Sequence, residues 1–231
     1  MKHKWIIGYC IIAALTLLIA RWGSRAVTTF VENSPMERSC TIVIDAGHGG
    51  VDGGATSCTG LPESGFNLEI SMVLNDLFHF LGYQTRMIRM EDISVYREGE
   101  TIAQKKISDL KERVRMVEET ENAILLSIHQ NNFPDGRYSG GQVFYAGTEG
   151  SKPLATALQK NFVEFLNPGS HRQEKKSSRV YLMEHISCPA VLIECGFLSN
   201  PEEEAKLRSK DYRQKLCCVI AATVAQLLSN T

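Results

Sequence analysis

The chain has 231 residues, 43% of them hydrophobic, and a formal net charge of −1 at pH 7. A nucleic-acid-binding protein needs a strongly basic domain, so this nearly neutral charge argues against a nucleic-acid partner. The length allows one or two globular domains.

The N-terminal residues differ from the rest of the chain. Basic residues within the first four precede an uncharged run over residues 5–20, which Arg21 ends. A positive start followed by an apolar stretch slightly short for a membrane span is typical of a secretory signal peptide or an uncleaved signal-anchor. We therefore predict that residues 1–26 direct export and are either removed or kept as a membrane tether, that residues 27–39 form a linker, and that residues 40–231 form one domain. The alternative for the first segment is a buried core helix.

Three apolar runs, each short enough for a strand, end in side chains that carry chemistry. The runs cover residues 41–44, 123–128 and 190–193. His48 lies in the glycine-rich turn after the first run, His129 directly follows the second, and Glu194 directly follows the third. In open α/β sheets, ligands bind at the carboxyl ends of the strands. If the three strands lie in one parallel sheet, these side chains converge at one edge of it.

The other patterns alternate between helix and strand. Apolar spacing and capping residues predict helices over residues 67–81, 108–121, 152–166, 201–207 and 211–228. Further strands are predicted over residues 83–90, 142–145 and 180–183, and residues 91–106 are predicted to form a long charged connection. Strands that alternate with helices form a mostly parallel sheet covered on both faces, so the predicted fold class is α/β.

A basic loop is predicted over residues 167–179. Its charged members are Arg172, Lys175, Lys176 and Arg179. A run of charges of this kind is usually a solvated face, and the second interpretation is a surface that binds an acidic substrate. Both interpretations remain open from the sequence.

The two histidines suggest a metal site. A catalytic zinc ion takes about three protein ligands and keeps one position open for water, and neutral histidine and carboxylate suit it. His48 and His129 supply two ligands. The third must be an acidic residue near the same edge: Glu63 lies just before the first predicted helix, and Asp45 and Asp52 compete with it. We expect Asp45 instead to accept a histidine N–H or to hold the turn. A lone histidine at a strand end is more often a satisfied polar group than a ligand.

Other functions fit these residues less well. A phosphate cradle in the turn after the first strand would need the spacing G-x-G-x-x-G, and Asp52 occupies the last glycine position. Cys195 paired with His48 or His129 would make a cysteine nucleophile, a minor alternative. Arg113 flanks the apolar face of its predicted helix, where a structural ion pair is a better explanation than catalysis.

Four segments taken together resemble a known family. The segments IDAGHGG, PESGFNLEI, SIHQNN and ECGFLSNPEE are similar, in order and approximate spacing, to the four sequence blocks of the zinc-dependent N-acetylmuramoyl-L-alanine amidases of type 3. The resemblance implies that His48, Glu63 and His129 bind one zinc ion and that Glu194 is the catalytic acid and base. The family's third block usually reads SIHAN, so Gln130 is a departure that bears on local packing.

The resemblance also implies a fold and a reaction. The expected fold is a three-layer α/β sandwich with a mostly parallel sheet of about six strands and helices on both faces. The expected reaction is hydrolysis of the amide bond between N-acetylmuramic acid and L-alanine in peptidoglycan, whose muramyl peptides are the expected substrate. The alternative is a non-catalytic or partner-activated peptidoglycan-binding module of the same fold, and the sequence does not name an activating protein.

The arrangement of the chain is similar to one subtype of the family. A signal-like segment followed by a catalytic domain looks most like the amidases that act on spore-cortex peptidoglycan in endospore-forming bacteria. There, removal of the peptide precedes formation of muramic-δ-lactam. The resemblance therefore implies an exported enzyme, secreted or membrane-anchored through residues 1–26, that works in the forespore or cortex space.

Overall fold

The structure of the protein, a computed structural model, describes residues 40–229. The predicted export segment, residues 1–26, and the predicted linker, residues 27–39, lie outside the described residues. Among the helices of residues 40–229, none has both the length and the hydrophobicity that crossing a membrane requires.

A six-stranded sheet forms the centre of the domain. The strands are β1 Thr41–Ala46, β2 Gln84–Met87, β3 Ala123–Asn131, β4 Gln142–Tyr145, β5 Lys175–Lys176 and β6 Ala190–Phe197. Their order across the sheet is β2-β1-β3-β6-β4-β5. Every neighbouring pair is parallel except β4 and β6, which are antiparallel. The predicted mostly parallel sheet of about six strands is therefore confirmed.

Helices cover both faces of the sheet. They are α1 Glu63–Phe80, α2 Ile102–Glu118, α3 Ser151–Asn161, α4 Tyr181–Glu184, α5 Pro201–Arg208 and α6 Lys210–Ser229, and a five-residue π-helix, Phe162–Leu166, continues α3. Buried side chains of α1, α3, α5 and α6 belong to one hydrophobic cluster, and those of α2 and α4 belong to another. The domain is thus the expected three-layer α/β sandwich.

The alternation along β1 explains why the strand lies between two layers. Ile42 and Ile44 pack into the first cluster, and Val43 packs into the second. All three are fully buried. A central parallel strand is covered on both faces, so it is a continuous apolar run rather than an alternating one.

The predicted strand over residues 180–183 is wrong. This segment forms the short helix α4, in which Leu182 and Met183 are buried in the second cluster. A run of apolar residues this short fits a strand and a single helical turn equally well, and tertiary packing decides between them.

Helix α2 begins six residues earlier than predicted. Thr101 caps it through a capping box, in which its side chain accepts a hydrogen bond from the N–H of Gln104 and the Gln104 side chain accepts one from the N–H of Thr101. Ser108, the predicted cap, instead accepts hydrogen bonds from the N–H groups of Arg97 and Glu98. Much of the predicted charged connection is therefore helix or is tied to one.

The core face of α1 gives a stability test. Phe78 is fully buried and packs edge-on against Tyr83, with 5.8 Å between the ring centroids, whereas Phe80 in the same helix is 87% exposed. We expect Phe78→Ala to lower the free energy of unfolding by about 3–5 kcal/mol, because it removes a buried ring and leaves a cavity. Phe80→Ala is the matched control and should change it by less than about 0.5 kcal/mol. Urea unfolding measures both variants, and equal losses would contradict the packing described.

Candidate metal centre

The turn after β1 brings His48 to the sheet edge in an uncommon backbone conformation. His48 has φ 61°, in the left-handed region that non-glycine residues rarely adopt. Gly47 before it is required by a close approach, because a Cβ atom there would lie 2.3 Å from the imidazole of His129. The glycine thus lets the first turn and the end of β3 pack against each other.

Arg113 of α2 holds this turn through its backbone carbonyl groups. Its guanidinium donates hydrogen bonds to the carbonyl oxygen of Ala46 at 3.0 Å and to that of His48 at 2.6 Å. It also pairs with the carboxylates of Asp45 and Asp109. The structural ion pair predicted for Arg113 is confirmed.

Arg89, which follows β2, holds the same turn from another direction. Its Nε donates to the carbonyl oxygen of Ala46 at 2.9 Å, and its Nη2 donates to those of Gly47 at 3.1 Å and Ser64 at 2.9 Å. The Arg89 side chain is fully buried. Two buried cations therefore fix three consecutive carbonyl groups of the turn, and Arg89 also ties the turn to the start of α1.

Asp45 holds the turn, one of the two roles predicted for it. Burial alone raises the pKa of its carboxyl, but the charge of Arg113 and a 2.6 Å hydrogen bond from Ser127 more than offset this, and the pKa is lowered. At neutral pH, Asp45 is thus an anion paired with the Arg113 cation. No hydrogen bond joins it to a histidine within the described part of the chain.

Three side chains predicted as metal ligands meet at the sheet edge. His48 Nε2 lies 3.3 Å from Glu63 Oε2, and His129 Nδ1 lies 3.0 Å from Glu63 Oε1. The three potential ligand atoms all lie within 4.8 Å of one another. Two imidazole nitrogens and a carboxylate oxygen at this spacing are a donor set that could hold a divalent metal ion. Each histidine side chain is about one-fifth exposed (21% and 20%), so the cluster is open to solvent on the histidine side.

Glu63 is held by several donors besides the histidines. Its Oε2 accepts a hydrogen bond from the N–H of Ala55 at 3.0 Å, and its Oε1 accepts one from the N–H of Gln130 at 3.1 Å and one from Asn67 at 3.2 Å. Burial raises the pKa of Glu63, but the hydrogen bonds with His129 and His48 lower it by more than burial raises it. The pKa is therefore lowered overall, and the group is an anion. Gln130, the residue that departs from the family pattern, also donates to Asn67 at 3.2 Å and so supports this arrangement.

Asp52, predicted as a competing ligand, lies on the other side of the His48 ring. Its Oδ2 is 3.0 Å from His48 Nδ1 and 3.2 Å from Lys106 Nζ. If Nδ1–H donates to Asp52, the lone pair of Nε2 faces Glu63, where a metal ion would bind. Asp52 therefore has the position expected of the residue that orients a ligand, a role the sequence pattern offered to Asp45.

Glu194 lies beside the ligand cluster without a partner of its own. It pairs in register with His129 of β3 on one side and with Gln142 of β4 on the other. Its Oε2 is buried and has no hydrogen-bond partner among the described residues. Burial raises the pKa of Glu194 to about 7; the nearby charge of Glu63 adds to this rise, and His129 and His48 oppose it. A carboxyl group with this pKa accepts and releases a proton readily near neutral pH.

The fourth sequence block and Glu204 directly after it also fix the loops around the site. Glu204 in α5 accepts a hydrogen bond from the hydroxyl of Thr59 at 2.5 Å, and Glu203 accepts one from the N–H of Gly140 at 2.7 Å. Both carboxylates are buried. The segment that begins with Glu194 therefore ties together the loop before α1 and the loop before β4.

The alternative cysteine nucleophile is disfavoured. Cys195 is buried, and burial raises the pKa of its thiol well above the ordinary value. Since the thiolate is the nucleophilic form, a thiol in this environment is inert. The phosphate cradle is also disfavoured, because residues 51–62 separate the turn from the first residue of α1.

The fold and the site define the class of this protein: an α/β domain with a candidate metal centre at the carboxyl edge of a mostly parallel sheet. A sequence model of the family described as N-acetylmuramoyl-L-alanine amidase matches residues 42–226. The chain therefore belongs to the N-acetylmuramoyl-L-alanine amidase family, whose reaction is hydrolysis of the amide bond between N-acetylmuramic acid and L-alanine. The resemblance of the four sequence blocks is confirmed.

Several individual members of the family are similar to this chain over most of its length. The chain is 34% identical over 181 residues to the germination-specific N-acetylmuramoyl-L-alanine amidase of Bacillus subtilis, a match that covers 78% of this chain and 76% of the relative. Among solved structures, it is similar to the CwlD amidase of Clostridioides difficile in complex with the GerS lipoprotein, with a TM-score of 0.80, 33% identity, and 83% and 100% of the two chains covered. An N-acetylmuramoyl-L-alanine amidase from Clostridium difficile 630 is similar at a TM-score of 0.72 and 30% identity, with 84% and 100% covered.

The buried Arg113 network gives a second stability test. We expect Arg113→Met to lower the free energy of unfolding by about 3–5 kcal/mol at neutral pH, because it leaves Asp45 as an uncompensated buried charge. The folded-state pKa of Asp45 is below its ordinary value of 3.8, so its paired form stabilises the fold above that pH and is lost as the pH falls below it. The difference between wild type and variant should accordingly narrow in acid.

Arg115→Met is the control for this test. Arg115 lies two residues after Arg113 in the same helix. Its ion pairs with Glu112 and Glu119 are partly exposed. Surface pairs contribute little, so this variant should be much less destabilised. Equal denaturant midpoints for Arg113→Met and the wild type would show that the buried pair does not stabilise the turn.

Proposed function

We propose that this chain hydrolyses the amide bond between N-acetylmuramic acid and L-alanine in peptidoglycan with one zinc ion held by His48, Glu63 and His129, and with Glu194 as the catalytic acid and base. The observation that carries the proposal is the convergence of the three donor atoms within 4.8 Å, next to a carboxyl group that has an unpartnered buried oxygen. Two imidazoles with one carboxylate favour zinc over magnesium or calcium, which prefer oxygen ligands.

The residues divide the chemistry between them. A zinc ion bound by the three ligands would supply Lewis-acid polarisation of the scissile carbonyl and lower the pKa of water. Glu194 would accept the proton of the attacking water and return it to the nitrogen of the leaving L-alanine. Burial of the carboxyl group favours its uptake of a proton, and no internal hydrogen bond of Oε2 has to break first. Asp52 would keep His48 in the tautomer that leaves Nε2 free to bind the metal.

The proposed setting is the spore cortex. The support is the 34% identity to a relative named as germination-specific and the similarity to the CwlD amidase. We infer that residues 1–26 direct export, that the domain acts in the forespore or cortex space as a secreted or membrane-anchored enzyme, and that removal of the peptide prepares muramic acid for δ-lactam formation. Because the CwlD amidase was solved with a lipoprotein bound, the proposal includes an activating protein partner whose identity is not assigned.

Loss of a ligand should lower metal binding. We expect His48→Ala, Glu63→Ala and His129→Ala each to reduce the zinc content of the purified protein strongly, since a three-ligand site loses one of its donors. Asp52→Ala should weaken zinc affinity by about 10–100-fold, because it removes the group that orients His48. Elemental analysis and competition with a chelator measure these effects.

His79→Ala is the control for the ligand variants. His79 is exposed and makes its hydrogen bond with Thr85, away from the cluster. The zinc content of the His79→Ala protein should therefore equal that of the wild type. Full zinc occupancy in Glu63→Ala would show that the third ligand is another acidic residue and not Glu63.

Glu194→Gln separates the acid and base from the ligands. The substitution keeps the shape of the side chain and removes its ability to accept a proton. We expect turnover of a muramyl peptide to fall by about 10²–10⁴-fold while the zinc content and unfolding midpoint stay at wild-type values. Loss of zinc would make Glu194 a ligand, and near-normal turnover with zinc retained would mean that another residue is the base. Zinc-loaded wild-type protein that binds peptidoglycan without cleaving it would favour the binding-module alternative.

A further inference from the structure

A groove opens beside Gln142, the first residue of β4. It has a volume of about 570 Å³, and its walls include Tyr138, Gln142, Arg172 and Lys175. Gln142 is the direct neighbour of Glu194 across the β4–β6 pair. One wall of the groove therefore belongs to the strand next to the one that carries the proposed catalytic carboxyl group.

Arg172 is held in a fixed position in this groove. Its Nε and Nη2 donate to the carbonyl oxygen of Ser139 at 3.1 and 3.0 Å, and its Nη1 lies 3.4 Å from Gln142 Oε1. The guanidinium carbon lies 5.2 Å from the centre of the Phe197 ring. Neutral groups thus position the cation on several sides, and Arg172 itself is half-buried.

The Arg172 cation has no anionic partner within the described chain. No carboxylate of residues 40–229 lies within 4.0 Å of it, whereas Arg113, Arg137 and Arg213 each have one. Glu174, a carboxylate in the wall of the same groove, instead accepts a hydrogen bond from Thr156 at 3.0 Å. A planar guanidinium that is already oriented and lacks a carboxylate is suited to bind one from a ligand.

We propose that Arg172 binds a carboxylate of the peptide leaving group and so makes the enzyme selective for acidic muramyl peptides. The inference rests on the proposed function, which places the nitrogen of L-alanine at Glu194. Neighbouring strands lie about 4.8 Å apart, and an extended peptide spans about 3.3–3.6 Å per residue. A carboxylate one or two residues beyond L-alanine therefore reaches the groove past Gln142. Lys175, an exposed residue that also lines the groove, adds a second positive charge.

This proposal assigns a function to part of the basic loop that was predicted over residues 167–179. Arg172 and Lys175 line the groove, whereas Arg179 is exposed and is not among the lining residues. Only the first part of the charge run lines the groove, and Arg179 provides a control in the same loop.

The test compares two muramyl peptides that are identical except at the residue after L-alanine, which carries a free carboxylate in one and a carboxamide in the other. Zinc-loaded wild-type enzyme should cleave the carboxylate peptide with about tenfold higher kcat/KM, the size expected of one charge-assisted hydrogen bond at a partly exposed position. Arg172→Met should lose this preference by slowing the carboxylate peptide alone. Arg172→Lys should keep part of the preference, and Arg179→Met should keep all of it.

Each result has a distinct meaning. Equal kcat/KM of the wild type for the two peptides would overturn the assignment of Arg172 while leaving the amidase function intact. An equal loss on both peptides in Arg172→Met would show a structural role and would also overturn it. If the wild type cleaves neither peptide between the lactyl group and L-alanine, the proposed function fails and this inference fails with it.

Discussion

Two buried guanidinium groups hold the turn that carries His48, and the candidate metal centre depends on them. Arg89 and Arg113 donate to the carbonyl oxygens of residues 46–48, and Asp45 balances the charge of Arg113. A non-glycine residue with positive φ is strained by about 1–3 kcal/mol and persists only where its surroundings fix it. The carbonyl contacts provide this constraint, so the fold itself sets the direction in which the His48 imidazole points.

The placement of His129 and Glu194 at one edge of the sheet was predictable from the sequence, because parallel strands bring their carboxyl ends to the same edge. His129 and Glu194 each directly follow an apolar run, and such runs in a βα pattern form parallel strands whose carboxyl ends meet. The observed register pairs these two residues directly. Position alone did not select Glu63, since Asp45 and Asp52 lie nearer to the turn in sequence. The resemblance to the family selected Glu63, and the structure brings it between the two histidines.

The supporting contacts were not predictable, because they join residues far apart in the chain. Arg89 reaches the turn from 42 or 43 positions away, and nothing in its local pattern separates it from a surface arginine. Asn67 gave one usable signal, since it is a polar residue at the start of a predicted apolar helix face, four positions after Glu63. The exchange of roles between Asp45 and Asp52 depends on which side of the His48 ring each occupies, and sequence distance does not encode that.

The central claim is that this chain cleaves the bond between the muramic acid lactyl group and L-alanine. Its most direct test is mass spectrometry of peptidoglycan fragments after incubation with zinc-loaded protein, combined with labelling of new amino termini and new reducing ends. We expect muramic acid without peptide, new L-alanine amino termini and no new reducing ends. New reducing ends without new amino termini would identify a glycosidase and contradict the account.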